Sequence, residues 1–171
     1  MSPPSAGKPR GSVLVVDDEQ HQRDILQMIL ASEGYEAVTA GNGRQALAAL
    51  ADGTFDVVLT DLKMPDLDGL ALLDEVLRLQ RALSVLLMTA HGTIDSAVAA
   101  MKKGAFDYLT KPLDREQLLL ALERAIEHSR LLQENRRLQE ELHGRFRIEN
   151  IVGAHGSMQD VFRLVHKVAP A

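Results

Sequence analysis

Acidic, hydroxyl and amine side chains stand directly behind short apolar runs at four places in this 171-residue chain. Asp17-Asp18 follows the run 13–16, Asp61 follows 57–60, Thr89 follows 85–88, and Thr110-Lys111 follows 106–109. If each run is a strand of one parallel sheet, these groups meet at its carboxyl edge, where open α/β sheets bind ligands. Three crowded carboxylates repel one another unless a hard divalent cation neutralises them. Mg2+ suits such a site, because it takes one or two carboxylates and keeps several waters. With Mg2+ in place, Asp61 on the central strand can attack a phosphoryl donor and form an acyl phosphate. Lys111 then pairs with one phosphoryl oxygen as a point charge, and the Thr89 hydroxyl donates to another. Each residue alone has a plainer reading. Asp18 can serve as a helix N-cap, Asp61 ahead of Pro65 and Gly69 can be a turn, and a single Thr or Lys says nothing. Turn chemistry does not require acid, acid, hydroxyl and amine in that order at successive strand ends.

The elements that must position these groups are written in the hydrophobic pattern. Apolar runs at 13–16, 35–39, 57–60, 85–88 and 106–109 alternate with helix-period segments. That alternation is expected of a doubly wound α/β domain with a five-stranded parallel sheet and right-handed crossovers. The run at 35–39 is the most mixed and suits a sheet edge. Residues 19–32 place Ile25, Met28 and Ile29 on one helical stripe and stop at Gly34. Residues 42–51 carry Ala46, Leu47 and Leu50; 70–79 and 94–103 follow, the latter closed by Gly104. Asp114 caps a fifth helix bearing Leu118, Leu119, Leu122, Ala125 and Ile126.

That fifth helical pattern outruns a compact domain, since no Pro or Gly occurs from Asp114 to His143. Leu131, Asn135, Leu138 and Leu142 step by four, three and four residues, flanked by Glu134, Arg136, Arg137, Glu140 and Glu141. This is a short heptad seam with Asn at a core position, which favours a two-stranded pairing. Residues 146–153 then read as extended and 157–168 as an amphipathic helix, too little to bury a core of their own. The expected division is a flexible lead-in at 1–10, one α/β domain at 11–128, a helical coiled-coil linker at 129–145, and the truncated start of a further domain at 146–171.

Composition removes several functions. A net charge of −5 offers no diffuse attraction to nucleic acid or anionic lipid. The absence of cysteine excludes disulfides and thiolate chemistry. No apolar run is long enough to span a bilayer, and residues 1–10 lack the apolar stretch of a secretory leader, so a cytoplasmic location is expected. His91, His155 and Lys102-Lys103 have no ligand spacing linking them and read as surface residues.

Four segments together resemble the marker motifs of response-regulator receiver domains. They are Val15-Val16-Asp17-Asp18-Glu19, the stretch from Leu59 through Lys63-Met64-Pro65 to Gly69, Met88-Thr89-Ala90-His91, and Gly104 through Thr110-Lys111-Pro112. The resemblance implies a flavodoxin-like receiver with strand order 2-1-3-4-5 and Asp61 as phosphoacceptor for a sensor histidine kinase. It implies Asp18, Asp61 and the backbone carbonyl of Lys63 as direct Mg2+ ligands, with Asp17 acting through water. It further implies Thr89 and Tyr108 as a switch pair, and homodimerisation through the face formed by the fourth helix, fifth strand and fifth helix. Residues 134–168 are similar to the linker and first AAA+ residues of nitrogen-regulatory-type activators of the sigma-54 polymerase. No P-loop follows and no helix-turn-helix is recognisable, so the 171 residues are expected neither to hydrolyse ATP nor to bind promoter DNA. Three other readings compete: a receiver with another output class, a Mg2+-dependent phosphatase, and a dimerisation module that needs no phosphate. The phosphatase reading meets Lys63 where such enzymes commonly carry an acid/base Asp.

Overall fold

The computed structural model describes residues 9–79 and 82–145. Among these the elements alternate as β1 (Ser12–Val16), α1 (Gln20–Ser32), β2 (Glu36–Ala40), α2 (Gly43–Asp52), β3 (Val57–Asp61), α3 (Gly69–Leu79), β4 (Ser84–Thr89), α4 (Ile94–Lys103), β5 (Asp107–Thr110) and α5 (Arg115–Arg145). The strands form one parallel sheet in the order β2-β1-β3-β4-β5. This is the flavodoxin-like arrangement that the alternating pattern and the resemblance lead one to expect. Register sets the site: Val16 pairs with Thr60, Asp61 with Met88, and Thr89 with Thr110, so four strands end level with one another.

Strand side chains alternate between two cores, which is why the central strands β3 and β4 are buried throughout and apolar except near their ends. Leu14, Val16, Val58, Val85 and Leu87 face Leu50, Leu72, Leu73, Val76 and Ala100 of α2, α3 and α4. Val13, Val15, Leu59, Leu86 and Met88 face Leu26, Leu30, Leu118, Leu122 and Ile126 of α1 and α5. Burying each such Leu contributes about 2 kcal/mol relative to leaving it in water.

Two local expectations are overturned. The buried stripe of α1 is Leu26 and Leu30, while Ile25 is 38% exposed and Met28 72%. Polar partners turn the helix this way: Arg23 Nη1 donates to the Asp17 carbonyl at 2.7 Å, and Gln27 Nε2 to that of Ala37 at 3.0 Å. Positions 23, 26, 27 and 30 thus share one face, half of it polar. Nor does Asp18 cap α1. The cap residue is Glu19, whose N–H is taken by Asp17 Oδ1 at 2.9 Å. Tyr35 and Phe106 lie one residue ahead of β2 and β5 rather than within them. Asp114 caps α5 as expected, accepting from Gln117 N, while residue 42, read as the first of the second helix, is instead its cap, Asn42 Oδ1 accepting from Gln45 N. Gly104 ends α4 at a φ of 102°, a conformation open to glycine at no steric cost.

The chain divides into two compact units, one running through Gln133 and the other from Glu134. In the first, α5 is seated by polar contacts at the amino end of the sheet. The buried Ser129 Oγ accepts from Ser84 N at 2.9 Å and donates to Ser84 Oγ at 2.8 Å. Arg130 donates to the Arg10 carbonyl at 2.8 Å. In the second unit, Arg136 pairs with Glu140, and Arg137 with Glu134 and Glu141, along the helix surface. Leu138 and Leu142 are exposed there. The expectations for 1–8 and 146–171, including the start of a further domain, lie outside the described residues.

Candidate functional site

Asp17, the first residue beyond β1, is 1% exposed, and Asp61, the last of β3, is 7% exposed. Two buried carboxylates need compensating charge. Lys111, just past β5, supplies it: its Nζ lies 2.7 Å from Asp17 Oδ2 and 2.9 Å from Asp61 Oδ1. Burial by itself would depress this ammonium. Its hydrogen bonds to Asp17 and Asp61, with their charges, outweigh burial and hold its pKa above the ordinary lysine value. Two carboxylates against one ammonium leave one net negative charge in the pocket, beside the exposed Asp18.

Backbone geometry fixes the remaining oxygens. Lys63 N–H donates to Asp61 Oδ2 at 3.0 Å. Leu62 N–H donates to the Met88 carbonyl at 2.7 Å, and Gly69 N–H to the Leu62 carbonyl at 2.9 Å, folding the β3–α3 loop back over the strand end. A Cβ on Gly69 would lie 2.3 Å from the Asp61 carbonyl oxygen, so only glycine allows this approach. Lys111 N–H donates to the Thr89 carbonyl at 2.7 Å, and the peptide bond between Lys111 and Pro112 is cis. Thr89 is buried, its Oγ1 accepting from His91 N at 3.2 Å, while His91 itself is exposed. Tyr108 is half-buried on β5, its hydroxyl 2.9 Å from Ser96 Oγ.

The structure therefore brings Asp17, Asp61 and Lys111 into direct contact and places Thr89 on the adjoining strand end. Among the described residues, no three acidic or histidine side chains converge on one metal-sized point. Asp17 and Asp61 offer hard oxygen donors, the Lys63 carbonyl follows two residues after Asp61, and Asp18 adjoins from solvent. Sequence reasoning passed over Arg23, which holds the Asp17 carbonyl, and Ser96, which meets Tyr108. The Thr93-x-x-Ser96 spacing ahead of an apolar helix was the available signal for the second.

A doubly wound sheet of order 2-1-3-4-5 with two buried aspartates and a lysine at its carboxyl edge defines a receiver-type α/β domain. Residues 13–123 match the response regulator receiver domain, and the chain belongs to that family. The DNA-binding transcriptional regulator NtrC of Salmonella typhimurium is 42% identical over 94% of this chain, which covers 33% of that protein. NtrX of Brucella abortus, solved with ADP, superposes with a TM-score of 0.70 at 37% identity, covering 94% of this chain and 34% of NtrX. A receiver domain protein of Clostridium thermocellum gives a TM-score of 0.68 at 36% identity, covering 71% of this chain and 98% of that one. The chain thus spans 33% of the length of the curated NtrC relatives. No helix among the described residues is long and apolar enough to cross a membrane.

Proposed function

We propose that Asp61 is the phosphoacceptor of this receiver and that a sensor histidine kinase supplies the phosphoryl group. The observation that carries this is the Lys111 ammonium held against both Asp61 and Asp17 at the sheet edge. An Asp61 carboxylate oxygen bonds to phosphorus while the phosphorus–nitrogen bond of the kinase phosphohistidine breaks, leaving an acyl phosphate on Asp61. Lys111 then turns from Asp61 to a phosphoryl oxygen, and the Thr89 hydroxyl donates to another. The surplus negative charge and the all-oxygen donor set fit Mg2+. Asp18, Asp61 and the Lys63 carbonyl would hold it, with Asp17 through water, and it would supply charge neutralisation for the transferring group.

The readout belongs to Thr89 and Tyr108 as a switch pair that remodels the α4, β5 and α5 face. Ile94, Val98 and Met101 stand exposed on α4 at positions i, i+4 and i+7, with Leu120 exposed on α5, which supports a homodimer contact there. Residues 129–145 act as a coiled-coil linker and 146–171 begin an AAA+ domain, so that the whole protein is a cytoplasmic sigma-54-type transcription activator. The similarity to NtrC supports that output.

Sedimentation of the chain with Mg2+, with and without beryllofluoride as phosphoryl stand-in, tests the switch beside Asp61→Ala. A change of mass or shape confined to intact Asp61 is expected. A response that survives Asp61→Ala would end the proposal.

A further inference from the structure

The hydroxyl of Ser96 serves two structures at once. Within the first turn of α4 it completes a capping box. Thr93 N–H donates to Ser96 Oγ at 3.0 Å, Ser96 N–H donates to Thr93 Oγ1 at 3.1 Å, and Ser96 Oγ donates to the Thr93 carbonyl at 2.9 Å. Across to β5, the same oxygen lies 2.9 Å from the Tyr108 hydroxyl.

A serine hydroxyl has one proton and two acceptor lone pairs. With its proton on the Thr93 carbonyl and one lone pair filled by Thr93 N–H, a single lone pair is left. Two donors reach it, Tyr108 O–H at 2.9 Å and Thr93 Oγ1–H at 3.0 Å. The Tyr108 hydroxyl, at the shorter distance, takes it. Gly92 adds a second feature. A Cβ there would lie 3.4 Å from Tyr108 Cε1 and 3.4 Å from Thr89 Cγ2. Backbone without a side chain therefore lies against both Thr89 and Tyr108.

We propose that Ser96 is a positioning residue that clasps Tyr108 beside the N-terminus of α4 and so biases the domain toward the arrangement seen here, in which Lys111 is still held by Asp17 and Asp61. The inference rests on the switch role proposed above for Thr89 and Tyr108. Releasing the clasp removes about one net hydrogen bond, so the opposing state gains about fivefold in relative population.

Fluorine NMR of the chain carrying 3-fluorotyrosine tests this, because the sequence holds two tyrosines, Tyr35 and Tyr108, and Tyr35 serves as internal reference. In the metal-free chain, Ser96→Ala is expected to move the Tyr108 resonance and leave that of Tyr35, while Ser96→Thr, which keeps the hydroxyl, restores it. Beryllofluoride with Mg2+ should bind Ser96→Ala about fivefold more tightly than wild type. In a Tyr108→Phe background, Ser96→Ala should change nothing further. An unmoved Tyr108 resonance overturns the clasp, as does an affinity gain that persists with Phe at 108, since the effect would then run through helix capping alone. Failure of wild type to bind beryllofluoride would instead strike the phosphoacceptor reading, and the metal-free fluorine comparison would still decide the clasp.

Discussion

The ammonium of Lys111 lies 2.7 Å from Asp17 Oδ2 across 94 residues of chain, and the same nitrogen reaches Asp61. Removing it leaves two buried carboxylates without compensation. Lys111→Met is therefore expected to lower the free energy of unfolding by about 3 kcal/mol at neutral pH without Mg2+, as read by urea titration. Lys111 titrates above the ordinary lysine range when folded. Its contribution is thus complete below about pH 10 and fades as pH climbs through the raised value. The gap between wild type and Lys111→Met should be level up to that point and narrow beyond it. A gap that widens there would contradict the pairing.

Tyr35 carries the opposite kind of feature. Its hydroxyl is buried with no hydrogen-bond partner among the described residues, beneath the guanidinium of Arg10, which lies 5.2 Å from the ring centroid. Burial pushes the phenol above its ordinary pKa against the opposing charge of Arg10. Tyr35→Phe relieves an unsatisfied buried group and should stabilise the fold by about 1 kcal/mol. It should also remove part of the stability loss above about pH 10, because a raised phenol pKa costs stability as pH rises past the unfolded value. A destabilised Phe variant would show that the hydroxyl has a partner in solution.

Ser129 takes the N–H of Ser84 at 2.9 Å inside the core. Ser129→Ala strands that buried donor, so a loss of about 2 kcal/mol is expected in urea unfolding. Ser84→Ala keeps the Ser84 N–H bond to Ser129 and should cost less. Equal losses would mean that the two hydroxyls, not the N–H, carry the contact.

The Asp17, Asp61 and Lys111 site was readable because strand-end residues of a parallel sheet meet whatever their separation in the chain. Strand order came with the motifs, whose family fixes it. Other contacts left no local trace. Ser84 and Ser129 are two unremarkable serines until the fold joins them. The α1 stripe was misread because Ile25, Met28 and Ile29 have proper helical spacing, while the true face carries Arg23 and Gln27, whose partners lie just past β1 and on β2. Hydropathy registers apolar side chains and not polar ones recruited by backbone carbonyls. Asp18 looked like a cap because its type is right, but Asp17 takes the N–H of Glu19 instead.

Dimerisation through the seam in 129–145 has a direct test. Leu138 is exposed, and Lys at that position would place charge in the proposed core of a two-stranded pairing. Leu138→Lys should shift the chain toward monomer in sedimentation equilibrium. An unchanged dimer would assign association to the α4, β5 and α5 face alone, and a wild-type monomer would remove the linker pairing.

The proposed switch depends on phosphorylation at Asp61. The chain would be incubated with Mg2+ and a phosphorylated histidine kinase, or with acetyl phosphate, and the acyl phosphate trapped by borohydride reduction and located by peptide mass spectrometry. Label on Asp61 alone, absent from Asp61→Asn, is the expected result. Label on another residue of the wild-type chain, or equal labelling of Asp61→Asn, would contradict it.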